Sequence, residues 1–137
     1  MRELHKRLKK VRMLICDVDG VLTDGRLWIS DDGKWRRFFH VHDGVGLKLL
    51  MDSGYDVGVI SGGKSDDVIQ RMAFLKIKHF YLEISDKIIP FQQILDESGL
   101  SADEIAFVGD EIYDVPVMKK VGFAVAVHVT RWDRRAA

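Results

Sequence analysis

Two aspartates stand two residues apart, Asp17 and Asp19, directly after the apolar run Val-Arg-Met-Leu-Ile-Cys at 11–16. In an extended segment both side chains point to one face. Two carboxylates so placed repel each other unless something compensates. A divalent metal does so, and hard oxygen donors suit Mg²⁺. Three later stretches carry matching chemistry: Ser61-Gly62-Gly63-Lys64-Ser65, Asp86-Lys87, and Gly109-Asp110-Glu111 with Asp114 three residues on. Asp110 can supply a further oxygen to the metal held by Asp17 and Asp19. One carboxylate of the pair can attack while the other carries a proton. Lys87 neutralises the charge of a nucleophile and of a transferred phosphoryl group. Ser61 and the backbone N–H groups of Gly62 and Gly63 can cradle phosphate oxygens near a helix N-terminus. Metal, nucleophile, general acid, cation and cradle together describe a phosphoryl-transfer site, where positioning and charge stabilisation carry the rate.

These residues must be brought together by the elements around them. Val11–Cys16 reads as a buried strand, short and apolar. Leu27–Ser30 and Trp35–His40 flank the turn-rich Asp31-Asp32-Gly33-Lys34 and read as a hairpin. Gly44–Asp52 reads as a helix with Asp43 as N-cap and Gly54 closing it. Strands follow at Val57–Ile60, His79–Leu82, Ile105–Val108 and Phe123–Val127. Helices follow at Ser65–Leu75, with Val68, Ile69, Met72 and Leu75 inward, at Asp86–Glu97, with Ile88, Phe91, Ile94 and Leu95 inward, and at Val115–Lys120. Alternation of strand and helix implies an α/β fold: a three-layer, Rossmann-like parallel sheet with helices on both faces. Ligands in such folds bind beyond the carboxyl ends of the strands. Every strand end but the last carries the chemically capable side chains named above.

Composition limits the classes of function. The 137 residues fit one domain, 1–137. Lys plus Arg is 21 and Asp plus Glu is 21, which argues against a basic nucleic-acid binder. The neutrality is partly a cancellation: residues 13–130 keep 12 basic and 19 acidic residues, a net of −7. Basic groups cluster instead at 1–12 and 131–135. The single cysteine, Cys16, cannot form an intrachain disulfide, which favours a reducing compartment, and its apolar run makes it a core filler. No signal peptide or membrane span is legible, so the expected location is the cytoplasm, with no membrane or nucleic-acid partner.

The stretch Asp-Val-Asp-Gly-Val-Leu-Thr-Asp-Gly at 17–25 resembles the first motif of haloacid dehalogenase-like phosphatases. Ser61, Lys87 and Gly109-Asp110-Glu111-…-Asp114 match the second, third and fourth in order. With the hairpin at about 25–40, His42-Asp43-Gly44-Val45-Gly46-Leu47-Lys48-Leu49-Leu50 and Val59-Ile60-Ser61-Gly62-Gly63-Lys64-Ser65, the chain is similar to the 3-deoxy-D-manno-octulosonate 8-phosphate phosphatase family from about Val11 to Val127. The resemblance implies that Asp17 forms an aspartyl-phosphate while Asp19 protonates the leaving alcohol and then activates water. Mg²⁺ is then held by the Asp17 and Asp110 carboxylates and the Asp19 backbone carbonyl. Ser61, Gly62 and Lys87 bind the phosphoryl group. Asp114 supports Lys87 or the metal waters, and Glu111 reaches the metal shell through water. Thr23, His42, Asp43 and Lys64 become candidate contacts for a small phosphorylated sugar acid. The resemblance further implies a hairpin flap in place of a large cap domain, and a homotetramer in which hairpins meet.

Four departures from that family are visible. Glu111 stands where a second Asp is usual, Gly63 replaces an Arg, and His40 and His42 replace Asn and Arg. The fourth is that residues 128–137 form a short basic stub where relatives continue with another strand, a Gly-rich segment and a helix. The alternatives are a phosphatase for a nine-carbon sugar acid, or a truncated, non-catalytic assembly subunit. A receiver domain is disfavoured, because its phospho-accepting Asp follows the third strand. Taken singly, each motif has an ordinary reading. An isolated Asp-x-Asp is a turn, Lys87 a solvated helix residue, and His40 and His42 are exposed or substrate-facing. Trp28, Trp35, Phe38 and Phe39 pack between subunits, and the N-terminal run is a solvated helix with Leu4, Leu8 and Val11 on one side.

Overall fold

The computed structural model describes residues 1–127; the expectations placed on 128–137 lie outside the described residues. Helix α1 spans Arg2–Lys10 and strand β1 spans Met13–Cys16. Short strands β2 (Trp28–Ile29) and β3 (Trp35–Arg36) form an antiparallel hairpin. Then come α2 (Val41–Asp52), β4 (Asp56–Ile60), α3 (Asp66–Leu75), β5 (His79–Tyr81) and α4 (Ile88–Ser98). The described chain closes with β6 (Ile105–Gly109), α5 (Val115–Met118) and β7 (Phe123–Ala126).

The main sheet is parallel, in the order β5-β4-β1-β6-β7. The expected α/β architecture is therefore present. β1 pairs on both sides, Cys16 lying opposite Val59 of β4 and Val108 of β6. A strand buried on both faces reads as an unbroken apolar run, as Met-Leu-Ile-Cys does. Its side chains alternate. Leu14 and Cys16 join Leu47 of α2 and Val68, Met72 and Leu75 of α3 in one core, while Met13 and Ile15 join Phe91 and Ile94 of α4 and Val117 of α5 in the other. From β1 the chain builds outward through β4 and β5, then crosses to β6 and β7 on the other side. The order reverses between β1 and β6, so a crevice opens beyond their carboxyl ends. Asp17 and Asp110 are the residues that follow those two strands.

The structure corrects several boundaries. β1 begins at Met13, because Val11 terminates α1 and the Arg12 N–H is spent on the Glu104 carbonyl. α2 begins three residues before the expected Gly44. Its N-cap is His40, whose Nδ1 accepts from the His42 N–H, so Asp43 falls in the first turn and not at the cap. An acid there still suits the helix dipole. The hairpin ladder is two residues on each side, shorter than expected; beyond it a single bridge joins Thr23 to Phe39. Ile69 of α3 is exposed where burial was expected, although Val68, Met72 and Leu75 point inward. α1 forms but buries none of its residues, Leu4 and Leu8 included. No described helix is long and apolar enough to cross a membrane.

Candidate active site

Alternation along β1 continues through its end. Met13 and Ile15 face α4 and α5, and so does Asp17, two residues on. There Lys87, the N-cap residue of α4, reaches it: Nζ lies 3.0 Å from Asp17 Oδ1 and 2.6 Å from Asp114 Oδ1. All three are buried, Asp17 to 3 %, Lys87 to 4 % and Asp114 to 0 % exposure. Buried charges persist only when paired and hydrogen-bonded. Asp114 meets that condition in full: its other oxygen, Oδ2, accepts from the Asp110 and Glu111 N–H groups at 3.0 and 3.1 Å. This fixes the loop after β6 against Lys87. It also explains Gly109, where an added Cβ would stand 2.5 Å from Asp114 Oδ2.

Asp110 is held differently. Its Oδ1 is buried and makes no hydrogen bond, which is costly for a carboxylate oxygen. Gly20 makes the position possible. It adopts φ +84°, and a Cβ there would collide with Asp110 Oδ2 at 1.9 Å. Oxygens of Asp17, Asp110 and Asp114 all lie within 4.8 Å of one another. Burial pushes Asp17 up to about 7, against the opposing pull of Lys87, and pushes Asp110 up to about 6, helped by the charges of Glu111 and Asp114. For Lys87, burial works downward, but the hydrogen bond to Asp114 and the charge of Asp17 outweigh it and the ammonium is raised. Crowded hard oxygens, one of them orphaned, on carboxyls that hold protons too tightly, fit a divalent cation. Asp17 and Asp110 are the donors with capacity to spare; Asp114 has committed both oxygens.

Asp19 departs from the simple expectation that it shares a face with Asp17. After Val18 the chain turns: the Val18 carbonyl accepts from the N–H groups of Val21, Leu22 and Thr23. The Asp19 carboxylate is thereby carried out of the acidic cluster onto Arg37, whose Nε and Nη2 donate to its two oxygens at 2.6 and 3.0 Å. Arg37 was not among the residues singled out from the sequence. Its side chain is 6 % exposed and is also held by Ser65 Oγ at 2.6 Å, while its backbone N–H donates to Asp67 at 2.7 Å. Arg36-Arg37 reads as ordinary hairpin charge, with nothing in its spacing to set one apart. The available signal was Gly63, whose missing side chain leaves the space that the Arg37 guanidinium fills.

Ser61 directly follows β4 and is 2 % exposed. The Gly63 N–H donates to Ser61 Oγ at 3.3 Å, and α3 starts only at Asp66, so Gly62 and Gly63 form a loop and not the first turn of a helix. Thr23 Oγ1 accepts from the Gly25 N–H at 3.2 Å, and lies 3.5 Å from Asp19 Oδ1. Thr23, His42 and Asp43 line one open cavity of about 420 Å³ with Phe38, Phe39 and His40. Lys64 does not line it and pairs with Glu83 at 3.2 Å on the surface. Glu111 is exposed and caps the short 3₁₀ turn that ends at Asp114. Cys16 is buried, and burial pushes its thiol up to about 12, so it fills space and does no chemistry.

Comparison with known proteins shows the family of the chain. The family model for haloacid dehalogenase-like hydrolases matches residues 37–128. The 3-deoxy-D-manno-octulosonate 8-phosphate phosphatase of Escherichia coli is 40% identical over 91% of this chain and 66% of its own length. Thus the chain spans about two thirds of the length of such curated relatives. The crystal structure of the Yersinia pestis phosphatase of the same name superposes with a TM-score of 0.91 at 34% identity, covering 98% of this chain and 74% of that one. The Moraxella catarrhalis phosphatase, solved with magnesium, phosphate and a KDO molecule, superposes with a TM-score of 0.85 at 30% identity, over 90% and 71% of the two chains. The chain belongs to the haloacid dehalogenase-like hydrolase family, and its relatives there are the 3-deoxy-D-manno-octulosonate 8-phosphate phosphatases.

Proposed function

We propose that this chain hydrolyses a small sugar-acid phosphate, 3-deoxy-D-manno-octulosonate 8-phosphate, with Mg²⁺ as cofactor. The observation that carries the reading is the buried Asp17–Lys87–Asp114 network beside the orphaned oxygen of Asp110. The names of the relatives and the ligands of the Moraxella catarrhalis protein supply the substrate. Asp17, fixed at Oδ1 by Lys87, attacks phosphorus through its other oxygen, and the ester P–O bond breaks. Asp19 gives its proton to the departing sugar oxygen, then takes one from the water that attacks the aspartyl-phosphate and releases inorganic phosphate. Ser61, the Gly62 N–H and Lys87 hold the phosphoryl oxygens. The Asp17 and Asp110 carboxylates and the Asp19 carbonyl would hold Mg²⁺, which supplies positive charge to the reacting phosphoryl group. Asp114 positions Lys87, and Thr23, His42 and Asp43 present the cavity in which the sugar lies.

The hairpin supports an assembly. Trp28, Ile29, Trp35 and Phe38 are about half exposed, Trp28 stacked on Phe38 and Ile29 paired with Trp35, more apolar surface than a flap left in water would carry. We assign them to contacts in a homotetramer in the cytoplasm. His40 and His42, at the mouth of the cavity, favour a second reading in which a nine-carbon sugar acid is the preferred leaving group.

The experiment is phosphate release from both sugar-acid phosphates and a panel of simple sugar phosphates, with and without Mg²⁺. Release from 3-deoxy-D-manno-octulosonate 8-phosphate that needs Mg²⁺ is expected. No release from any member overturns the reading. Native mass spectrometry of the same protein should show four copies; a clean monomer would overturn the hairpin assignment.

A further inference from the structure

Arg37 joins the hairpin to both halves of the site's rim. It grips Asp19 of the loop after β1 and Ser65 and Asp67 at the start of α3. Its grip on Asp19 is bidentate, Nε to Oδ1 and Nη2 to Oδ2. A planar guanidinium fork matches a carboxylate or a phosphate equally well. The two Arg37 donors take one lone-pair position on each Asp19 oxygen and hold the carboxylate in one orientation. A substrate anion that takes this fork would displace Asp19 from it.

The surroundings say which partner moves. The Arg37 side chain is 6 % exposed, and Ser65 and Asp67 hold it from the far side; the Asp19 side chain is 29 % exposed and has only the long Thr23 contact besides. Asp19 is therefore the replaceable partner. The other cations nearby are already engaged, Lys87 by Asp17 and Asp114 and Lys64 by Glu83. Position 63 completes the picture. A Cβ on Gly63 would stand 2.9 Å from Arg37 Nη2 and 3.5 Å from Asp19 Oδ2. The absence of a side chain at 63 leaves room for the guanidinium at this spot, and a long basic side chain from 63 would reach the same spot.

We infer that Arg37 binds an anionic group of the substrate on the leaving-group side of the site, and that this anion displaces Asp19 from the guanidinium. The anion is either the sugar-acid carboxylate or a phosphoryl oxygen pair. The inference rests on the phosphatase reading above.

Steady-state kinetics test it on 3-deoxy-D-manno-octulosonate 8-phosphate and on ribose 5-phosphate, which has the phosphoryl group but no carboxylate. Arg37→Gln should raise KM for the sugar-acid phosphate about tenfold or more, the effect of losing one buried charged contact, while kcat changes little. Adding Gly63→Arg to that variant should recover part of the KM. Should Arg37→Gln fail to fold, Arg37→Lys keeps a cation against Ser65 and Asp67 without the fork and should raise KM in the same sense. A rise confined to the sugar acid identifies the carboxylate as the ligand; a rise on both substrates identifies the phosphoryl group. A fall in kcat at constant KM would mean that Arg37 only orients Asp19, and would overturn the inference, as would no change in either constant. Wild-type protein inactive on both substrates would instead overturn the phosphatase reading.

Discussion

Two ion pairs in this molecule have the same length and different consequences. Lys87 and Asp114 meet at 2.6 Å beneath the strand ends, with side chains 3 % and 0 % exposed. Lys34 of the hairpin and Asp66 of α3 also meet at 2.6 Å, but with side chains 55 % and 54 % exposed. Water and salt screen the second pair, and two long side chains lose freedom to make it. Nothing screens the first, and neither partner can be removed without leaving a charge stranded in the core. The Arg37–Asp19 pair, also at 2.6 Å, lies between them, with one partner buried and the other partly exposed. Distance identifies the partner; burial decides what depends on it.

The largest expected effect breaks chemistry at the buried end while sparing structure. Asp17→Asn keeps the shape and one oxygen to accept from Lys87, but turns the other oxygen into an amide nitrogen and removes the attacking charge. Turnover should fall by about 10³-fold or more, as for loss of a nucleophile, with an unchanged circular dichroism spectrum. Phosphate release by Asp17→Asn within tenfold of the wild-type rate would show that this carboxylate is not the one that reacts. Next comes the cation. Lys87→Met leaves Asp17 and Asp114 facing each other in the core, and urea denaturation should show a loss of about 3–5 kcal/mol. A loss below about 1 kcal/mol would place Lys87 with the surface pairs.

The site's pH dependence follows from its crowding. Asp17 and Asp110 have folded values of about 7 and 6, above their ordinary range, and burial is the main cause for both. Their protonated forms therefore favour the folded state. For these two groups, metal-free protein keeps that stability at pH near 4 and loses it as pH rises through 6 and then 7. A cation takes the place of the protons, so the gain in Tm on adding Mg²⁺ should grow between about pH 5.5 and pH 8. Differential scanning calorimetry at several pH values would measure this; a gain that stays flat over the range would remove the acidic cluster as the metal's seat.

The buried end of the comparison was legible in the sequence. Asp17, Lys87, Asp110 and Asp114 stand where strands end, and a parallel sheet brings strand ends together whatever the loops do. Asp114 three residues after Glu111 is the spacing that lets its carboxylate turn back onto the Asp110 and Glu111 N–H groups. The exposed end was much less legible. Alternation placed Asp19 beside Asp17, but the turn at Val18–Thr23 ended the alternation and gave Asp19 to Arg37. That contact joins residues 18 positions apart across an irregular segment, and no periodicity links them. The start of α2 was misplaced for a local reason: Asp is the commoner cap, yet the His40 ring accepts the N–H that needed one.

The smallest expected effect is the sharpest check on the comparison. Lys34→Ala and Asp66→Ala each remove one side of a contact as short as the one in the core. Asp66 also opens α3, where a carboxylate suits the helix dipole, so its single substitution mixes two effects. The double-mutant cycle separates them, because the dipole contribution cancels and only the pair remains. Coupling between Lys34 and Asp66 should be indistinguishable from zero in urea denaturation at physiological salt, and any trace at low salt should vanish as salt is added. KM should not move in either variant, since Arg37, three residues on from Lys34, keeps its own hold on Asp67 and Ser65. A coupling here as large as the loss from Lys87→Met would mean that short distance alone confers the energy. The difference between the two ends of the molecule would then need another cause than burial.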